Sequence, residues 1–261
     1  MSNTNGIPLE VTFLGTGTSI GVPVIACNCP VCKSSDARDK RFRSSALIKV
    51  GDKTIVIDCG PDFRFQMLKN NVEDIDAIVF THQHRDHVAG LDDIRAFNYI
   101  LNKTIDIFGT EDVMHSIRTE FPYIFSDSRY FGAPQLNIHL IDEKGFEVHG
   151  IPIIPIKVMH DKLMVLGFRI FDFTYITDAS YISDVEIDKV KGSKVVVLNA
   201  LRNSKHVSHF SLDEAVEVIK RINPERAYFT HISHFLGLHG EVEKKLPSNM
   251  HLAYDNLTIS I

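Results

Sequence analysis

The 261-residue sequence has no apolar run approaching the ~20 residues of a membrane span, and no charged start leading into an apolar core. Both absences point to a soluble protein of the cytoplasm. Basic charge is also in short supply, 28 Lys and Arg against 33 Asp and Glu, for a net −5. Surfaces that hold nucleic acid are usually basic, so polynucleotide substrates are disfavoured. The turn Leu14-Gly15-Thr16-Gly17-Thr18-Ser19 completes neither a G-x-G-x-x-G fingerprint nor a lysine-bearing phosphate loop, which leaves it as a tight turn. Cysteine is limited to four, and three of them crowd into Cys27-Asn28-Cys29-Pro30-Val31-Cys32, too close to pair comfortably as disulfides. The 44% of hydrophobic residues is ample for a full core, and the expectation is one domain over 1–261.

What is present in abundance is histidine in one place. Thr81-His82-Gln83-His84-Arg85-Asp86-His87-Val88-Ala89-Gly90 puts three imidazoles and a carboxylate within six residues, directly after the apolar run Ala77-Ile78-Val79-Phe80. At the end of a strand, residues two apart point the same way, so His82 and His84 can reach one ion while Asp86 and His87 turn onto the next helix and face a second. The helical HExxH spacing is absent, so this is a different kind of metal motif. The C-x-C-x-x-C spacing of Cys27, Cys29 and Cys32 is a structural zinc signal, and such zinc takes four closed ligands, so the fourth comes from elsewhere in the chain. Cys59, at the end of another apolar run, reads as a small buried residue.

H-x-H-x-D-H followed by Gly90 resembles the signature of the metallo-β-lactamase-fold hydrolases. The resemblance implies their α+β fold, an αββα four-layer sandwich. It also implies a further histidine, a bridging aspartate and a last histidine after later strands; the candidates in order are His160, Asp178 and His231, each where an apolar run stops. Leu14 to Ser19, Gly21-Val22-Pro23, the cysteine knuckle at 27–32 and Gly90-Leu91-Asp92-Asp93-Ile94-Arg95 together look like the cyclic phosphodiesterase of the carbon–phosphorus lyase pathway and its relatives. In that subfamily a histidine three residues after the last catalytic one completes the knuckle's zinc, and His234 holds that position here. The resemblance also implies a homodimer, and it makes His209 a group that contacts the phosphate and protonates the leaving oxygen. His206 and Arg202 are weaker candidates for phosphate contact. Asp86 is a second group able to handle the leaving proton, although a carboxylate bound to metal is a poor acid.

Along the chain, residues 1 to 8 are a polar tail. Val11 to Leu14 is a first strand, and Ala46 to Val50 with Thr54 to Asp58 a hairpin about Gly51-Asp52. A short helix is expected from Pro61 to Lys69, another over Leu91 to Leu101, and a third over Glu111 to Phe121, with a strand at Asp106 to Phe108. Pro122 to Pro134 is irregular and aromatic, with Tyr123, Phe125, Tyr130 and Phe131, and suits a substrate-facing wall or a dimer contact. Strands follow at Leu136 to Ile141, Gly145 to Val148, Ile151 to Val158, Met164 to Ile170 and Phe173 to Ile176, the third demoted to an edge or twisted strand by its two prolines. Lys194 to Leu198 is the last strand before a capping box at Ser211 and Glu214, which opens a helix with the stripe Leu212, Ala215, Val216, Ile219 and Ile222. Leu252 to Tyr254 and Leu257 to Ile261 close the sheet, and His139 and His149 are structural.

These readings converge on an enzyme, a hydrolase of small phosphodiesters, with a cyclic phosphate of ribose implied by the resemblance. The site takes two divalent ions, manganese or zinc, and the knuckle one structural zinc. The competing functions are a thioesterase, a transfer-RNA 3′ processing nuclease, a relative of the pyrroloquinoline quinone synthesis factor, and a non-catalytic metal-binding protein. The nuclease usually brings a long basic or Gly/Pro-rich arm, which is lacking.

Overall fold

The structure, a computed structural model, describes residues 8–126 and 132–261. In the first half the elements are β1 (Leu9–Gly15), α1 (Pro30–Lys33), β2 (Ser45–Val50), β3 (Lys53–Ile57), α2 (Phe63–Lys69), β4 (Ala77–Val79), α3 (Arg85–Val88), α4 (Arg95–Leu101), β5 (Ile105–Gly109), α5 (Glu111–Glu120) and β6 (Leu136–Leu140). The second half supplies β7 (Phe146–Val148), β8 (Ile151–His160), β9 (Leu163–Ile170), β10 (Phe173–Tyr175), β11 (Tyr181–Ile182), α6 (Asp184–Val190), β12 (Val195–Asn199), α7 (Leu212–Ile222), β13 (Arg226–Thr230), α8 (His239–Glu243), β14 (Met250–Leu252) and β15 (Thr258–Ser260). They form two mixed sheets. One runs β15-β1-β2-β3-β4-β5-β6; the other runs β11-β8-β9-β10-β12-β13-β14, with β7 added to β8.

The central strands read as continuous apolar runs because they have two dry faces, while β6 and β15 at the sheet edge alternate with exposed residues. In β3, Ile55 and Ile57 enter the core between the sheets while Val56 turns outward under α2 and α5. In β12, Val195 and Val197 face inward, and Val196 and Leu198 meet Ile187, Ala215, Ile219 and Val242 of the outer helices. Phe13, Val79, Phe168, Tyr175 and Tyr228 fill the space between the sheets. Side chains of this size each contribute ~1.5–3 kcal/mol when fully buried. The result is the αββα sandwich of the metallo-β-lactamase fold.

Several elements depart from the sequence reading for identifiable reasons. The helix expected from Pro61 begins at Phe63, because Asp62 spends its carboxylate on the Arg43 backbone N–H and guanidinium at 2.9 Å each. Leu91 to Leu101 splits into a 3₁₀ turn at Leu91–Ile94 and then α4. β8 is not an edge strand: β9 pairs along one side, and β7 and β11 pair opposite ends of the other. Between those two short strands its side is open, and there the Lys157 N–H donates to Glu186 instead of to a strand. Pro155, two residues earlier and facing the same way, needs no donor there. On α7 the buried stripe adds Val218 to the expected residues, with Val216 half-buried against the same cluster. The last two strands close different sheets, β14 on β13 and β15 on β1. Of the aromatic stretch, the Tyr123 hydroxyl donates to Asp92, whereas Tyr130 and Phe131 lie outside the described residues.

Candidate metal centre

His82 to His87 occupies the turn after β4, and α3 is pressed so closely on the segment after β3 that side chains are excluded. A Cβ on Gly60 would stand 2.0 Å from the Asp86 carbonyl, and one on Gly90 2.2 Å from that of Gly60. Main-chain bonds from Cys59 N to His87 O and from Gly90 N to Cys59 O, each 2.8 Å, lock the two segments together. The imidazoles gather as a result: ring centroids are 4.6 Å apart for His82 and His84, 4.2 Å for His82 and His87 and 5.2 Å for His84 and His160.

Asp58 organises this cluster and was missed in the sequence, where it reads as the end of a hairpin strand. Its carboxylate accepts the His87 Nδ1 proton at 2.7 Å and the Thr81 N–H and hydroxyl at 2.8 Å each. Since the Thr81 hydroxyl donates to Asp58, it accepts from His82 Nδ1 at 2.9 Å. One buried carboxylate thus fixes the tautomer of two histidines and leaves both Nε2 atoms facing inward. The signal was available: Asp58, like Asp178 and His231, stands where an apolar strand stops. All three adopt left-handed backbone, with φ of 62°, 56° and 55°, a conformation that costs a non-glycine residue roughly 1–3 kcal/mol and collects at functional sites.

The second sheet delivers the other groups. His160 is the last residue of β8 rather than the one after it, and its Nδ1 donates to the Ser208 carbonyl at 2.7 Å, which leaves Nε2 as an acceptor. Asp178 Oδ2 lies 3.3 Å from His87 Nε2 and 3.2 Å from His231 Nδ1; Asp86 Oδ2 lies 3.2 Å from the same His87 nitrogen. Asn199 grips Ala179 through both amide atoms and so holds the Asp178 turn. Ser44 Oγ donates to the Gly17 carbonyl and accepts from His231 Nδ1 at 3.1 Å, with Thr18 Oγ1 3.4 Å from the other ring nitrogen. His209 packs between His160 and His231, with centroids at 4.5 and 4.8 Å, and its Nδ1 is 3.8 Å from Asp178 Oδ1.

The electrostatics are those of a site that wants cations. Burial acts to raise Asp178 and Asp86, yet His231 and His87 outweigh it and hold both carboxyls below the usual range. Burial acts to lower His87, and the three carboxylates Asp178, Asp58 and Asp86 lift it well above the usual value. A proton on His87 therefore occupies the place a divalent ion would take. His209 is pushed down to about 3 by burial and by His231 beside it, so its imidazole is neutral at pH 7. His82 Nε2, His87 Nε2 and His209 Nδ1 are buried without a hydrogen-bond partner. Buried polar atoms are rarely left so, and these three aim at one another's carboxylate neighbours. The donor set fits divalent metal.

The cysteine knuckle lies apart from this centre. Cys29 caps α1 and accepts from Cys32 N, and His234 Nδ1 stands 3.3, 3.4 and 3.6 Å from the sulfurs of Cys27, Cys29 and Cys32. The Cys32 N–H and then His234 draw the Cys29 thiol down to about 6, while burial pushes that of Cys32 up to about 11. Three thiols in one pocket cannot all ionise unaided, and an ion of charge +2 relieves that conflict. Paired main-chain bonds between Thr16, Thr18 and Ile232 tie the Gly/Thr turn to the segment carrying His231 and His234.

Comparison with known proteins agrees with this geometry. The profile of the Beta-lactamase superfamily domain matches residues 53–232. This chain belongs to the β-lactamase superfamily. Within the superfamily, a crystal structure described as a new diphosphatase from the PhnP family superposes with a TM-score of 0.91 at 36% identity, covering 97% of this chain and 98% of that one. At that likeness the present superfamily member also belongs to the PhnP family, and it has the metallo-β-lactamase fold. A Porphyromonas gingivalis protein named octanoyltransferase is 37% identical over 95% of this chain but 51% of its own length, so the chain spans about half of that relative. Ribonuclease Z of Saccharolobus islandicus is 27% identical over 82% of this chain and 66% of the relative.

Proposed function

We propose that this chain hydrolyses small phosphodiesters with two divalent ions, manganese or zinc, and that a five-membered cyclic phosphate of ribose is its substrate class. The observation that carries the reading is the convergence of His87, His231 and His209 on one carboxylate, Asp178, with Asp86 on the same His87 nitrogen. His82, His84 and His160 would hold one ion, Asp86, His87 and His231 the other, and Asp178 both; Cys27, Cys29, Cys32 and His234 would hold a structural zinc. Bound divalent ions lower the pKa of water by several units and neutralise charge growing on phosphorus.

The chain's own residues do the rest. Asp58 keeps two ligand histidines in the tautomer that binds metal, and the Ser208 carbonyl does so for His160. Asp86, held ionised, has no proton to give; His209, beside Asp178 and neutral at pH 7, would meet the leaving oxygen as a hydrogen-bond donor through its ring N–H. A net charge of −5 favours a small substrate over nucleic acid. Among the described residues no helix is long and apolar enough to cross a membrane, and we place the enzyme in the cytoplasm as a homodimer.

A second reading rests on the Porphyromonas relative, whose name speaks of octanoyl transfer. Hydrolysis of an acyl thioester would use the same water-activating centre. The test is turnover by metal-loaded protein of a ribose cyclic phosphate, a linear aryl phosphodiester and an octanoyl thioester, each beside an Asp178→Ala control. Fast opening of the cyclic ester, absent in the control, supports the phosphodiesterase; activity on the thioester alone overturns it.

A further inference from the structure

A sheet edge carries unpaired N–H and C=O groups that will bond another chain unless the edge is covered or blunted. Most edges of this molecule are blunted by length: β7, β14 and β15 have three residues each and β11 two, and β7 also carries Glu147. β6 is built differently. It stands at the end of the seven-stranded sheet, runs five residues as Leu136-Asn137-Ile138-His139-Leu140, and holds neither proline nor a carboxylate, lysine or arginine.

The register with β5 shows which of its groups are spare. The two strands are parallel, with the Ile105 N–H donating to the Gln135 carbonyl at 3.1 Å and the Ile141 N–H to the Gly109 carbonyl at 3.0 Å. Main-chain groups alternate in direction along a strand, so 135, 137, 139 and 141 turn theirs to β5 while Leu136, Ile138 and Leu140 turn theirs away. Those outward groups have no hydrogen bond among the described residues. The side chains are sorted as well. Leu136 and Ile138 are half-buried against the cluster of Val113 and Ile117 under α5, and Leu140 is exposed. On the other face Asn137 donates to Asp106 at 2.8 Å, and His139 stacks on Phe108 with centroids 4.4 Å apart.

We infer that β6 is where a second copy of this chain docks, the two β6 strands pairing antiparallel across a two-fold axis at Ile138 and joining the seven-stranded sheets edge to edge. A two-fold contact sets a segment against its own reverse. Ile138 then lies opposite the partner's Ile138, Leu136 opposite the partner's Leu140, and Asn137 opposite the partner's His139. Apolar side chains meet apolar ones on one face, amide meets imidazole on the other, and no like charges are opposed. That self-match, with the covering of the exposed Leu140, selects a second copy over an unrelated strand. The contact is small, so the dissociation constant is expected on the order of micromolar. The inference rests on the homodimer placed in the proposed function and is independent of the chemistry proposed there.

The test is sedimentation velocity of metal-loaded protein from ~1 to ~200 µM, with amide hydrogen exchange at both ends of that range. Wild type is expected to pass from monomer to dimer, and the amides of Leu136, Ile138 and Leu140 to exchange roughly tenfold more slowly in the dimer. Ile138→Pro removes an N–H that β5 does not use, and Leu140→Lys sets a charge at an exposed position opposite the partner's Leu136. Each should weaken dimerisation at least tenfold with bound metal per chain unchanged, and the lysine variant, altering only an exposed side chain, decides the matter if the proline variant fails to fold. A wild type that stays monomeric throughout would overturn the homodimer and this surface together. A dimer whose β6 amides gain no protection, or one that Leu140→Lys leaves as tight as wild type, would overturn the surface alone and put the homodimer on another face.

Discussion

The two donor clusters of this molecule are built on opposite plans. The cysteine knuckle takes three of its donors from six consecutive residues and the fourth from His234, and every donor is within 3.6 Å of the histidine nitrogen. The His/Asp centre takes its donors from four strand ends across both sheets, has Asp58, Asp178 and His231 at positive φ, and leaves a buried nitrogen without a hydrogen-bond partner on each of His82, His87 and His209. A closed set of thiolates serves stability; an open set of imidazoles and carboxylates serves chemistry. Yet the two are joined, because His231 and His234 lie on one short segment laced to the Gly/Thr turn. The sharpest way to separate them is to remove one donor from each.

The largest effect is expected at Asp178, the group both ions would share. Asp178→Ala should remove ion pairing and lower turnover by on the order of 10³-fold or more, beyond the scale of losing an outer hydrogen bond. Metal content by elemental analysis should fall while the knuckle's zinc stays. Normal turnover with two ions still bound at the centre would end the two-metal scheme. Next in size is Asp58→Asn, which keeps the shape but cannot hold His87 and Thr81 in the same way. A loss of ~10- to 100-fold in metal affinity and activity is expected, read by metal titration and kcat; an unchanged affinity would mean that main-chain packing alone orients these histidines.

Cys29→Ser reverses the pattern. The knuckle should release its zinc, and stability should drop by several kcal/mol, a fall in Tm of roughly 10 °C for a chain of this size. Turnover at low temperature should fall only a few-fold, through the shared segment to His231. A chelator that strips the centre but not the knuckle should give the opposite outcome, full Tm and no turnover. If the two treatments behave alike, the clusters are one cooperative unit and the contrast drawn above is wrong.

How much of this could be read from the sequence follows from the same contrast. Groups close in the chain, His82 to His87 and Cys27 to Cys32, announce themselves by spacing, whereas the αββα layering entered as what the resemblance implies, and the unbroken apolar runs of the central strands agree with it. Single donors at strand ends carry no spacing signal, so His160, Asp178, His231 and His234 became candidates through resemblance. Asp58 escaped notice because it serves by hydrogen bonding to ligands rather than by ligating. Pro155 misled because a proline reads as an edge residue, whereas here one stretch of an interior strand is open. How deeply Val216 and Val218 are buried on α7 depends on helix rotation of a fraction of a turn, finer than an apolar stripe defines.

The smallest effect concerns the join between the knuckle and the rest of the protein. His239, at the start of α8, is buried, and its Nδ1 accepts from Arg41 Nη2 at 3.2 Å; Arg41 in turn bonds Thr16 and the Ala253 carbonyl. Burial, with the cations Arg41 and Arg38, lowers His239 from the usual 6.5 to about 4. A histidine with a folded value below the unfolded one is neutral in the native state while the unfolded chain binds the proton. Its contribution is therefore complete above pH 6.5 and is lost as pH falls toward 4. Wild type should lose on the order of 1 kcal/mol between pH 7 and pH 5 that His239→Gln does not lose, measured as the difference in urea unfolding free energy at the two pH values. Parallel losses in both proteins would assign the acid sensitivity to the metal-ligating histidines and thiols instead, and so to the two clusters rather than to the seam between them.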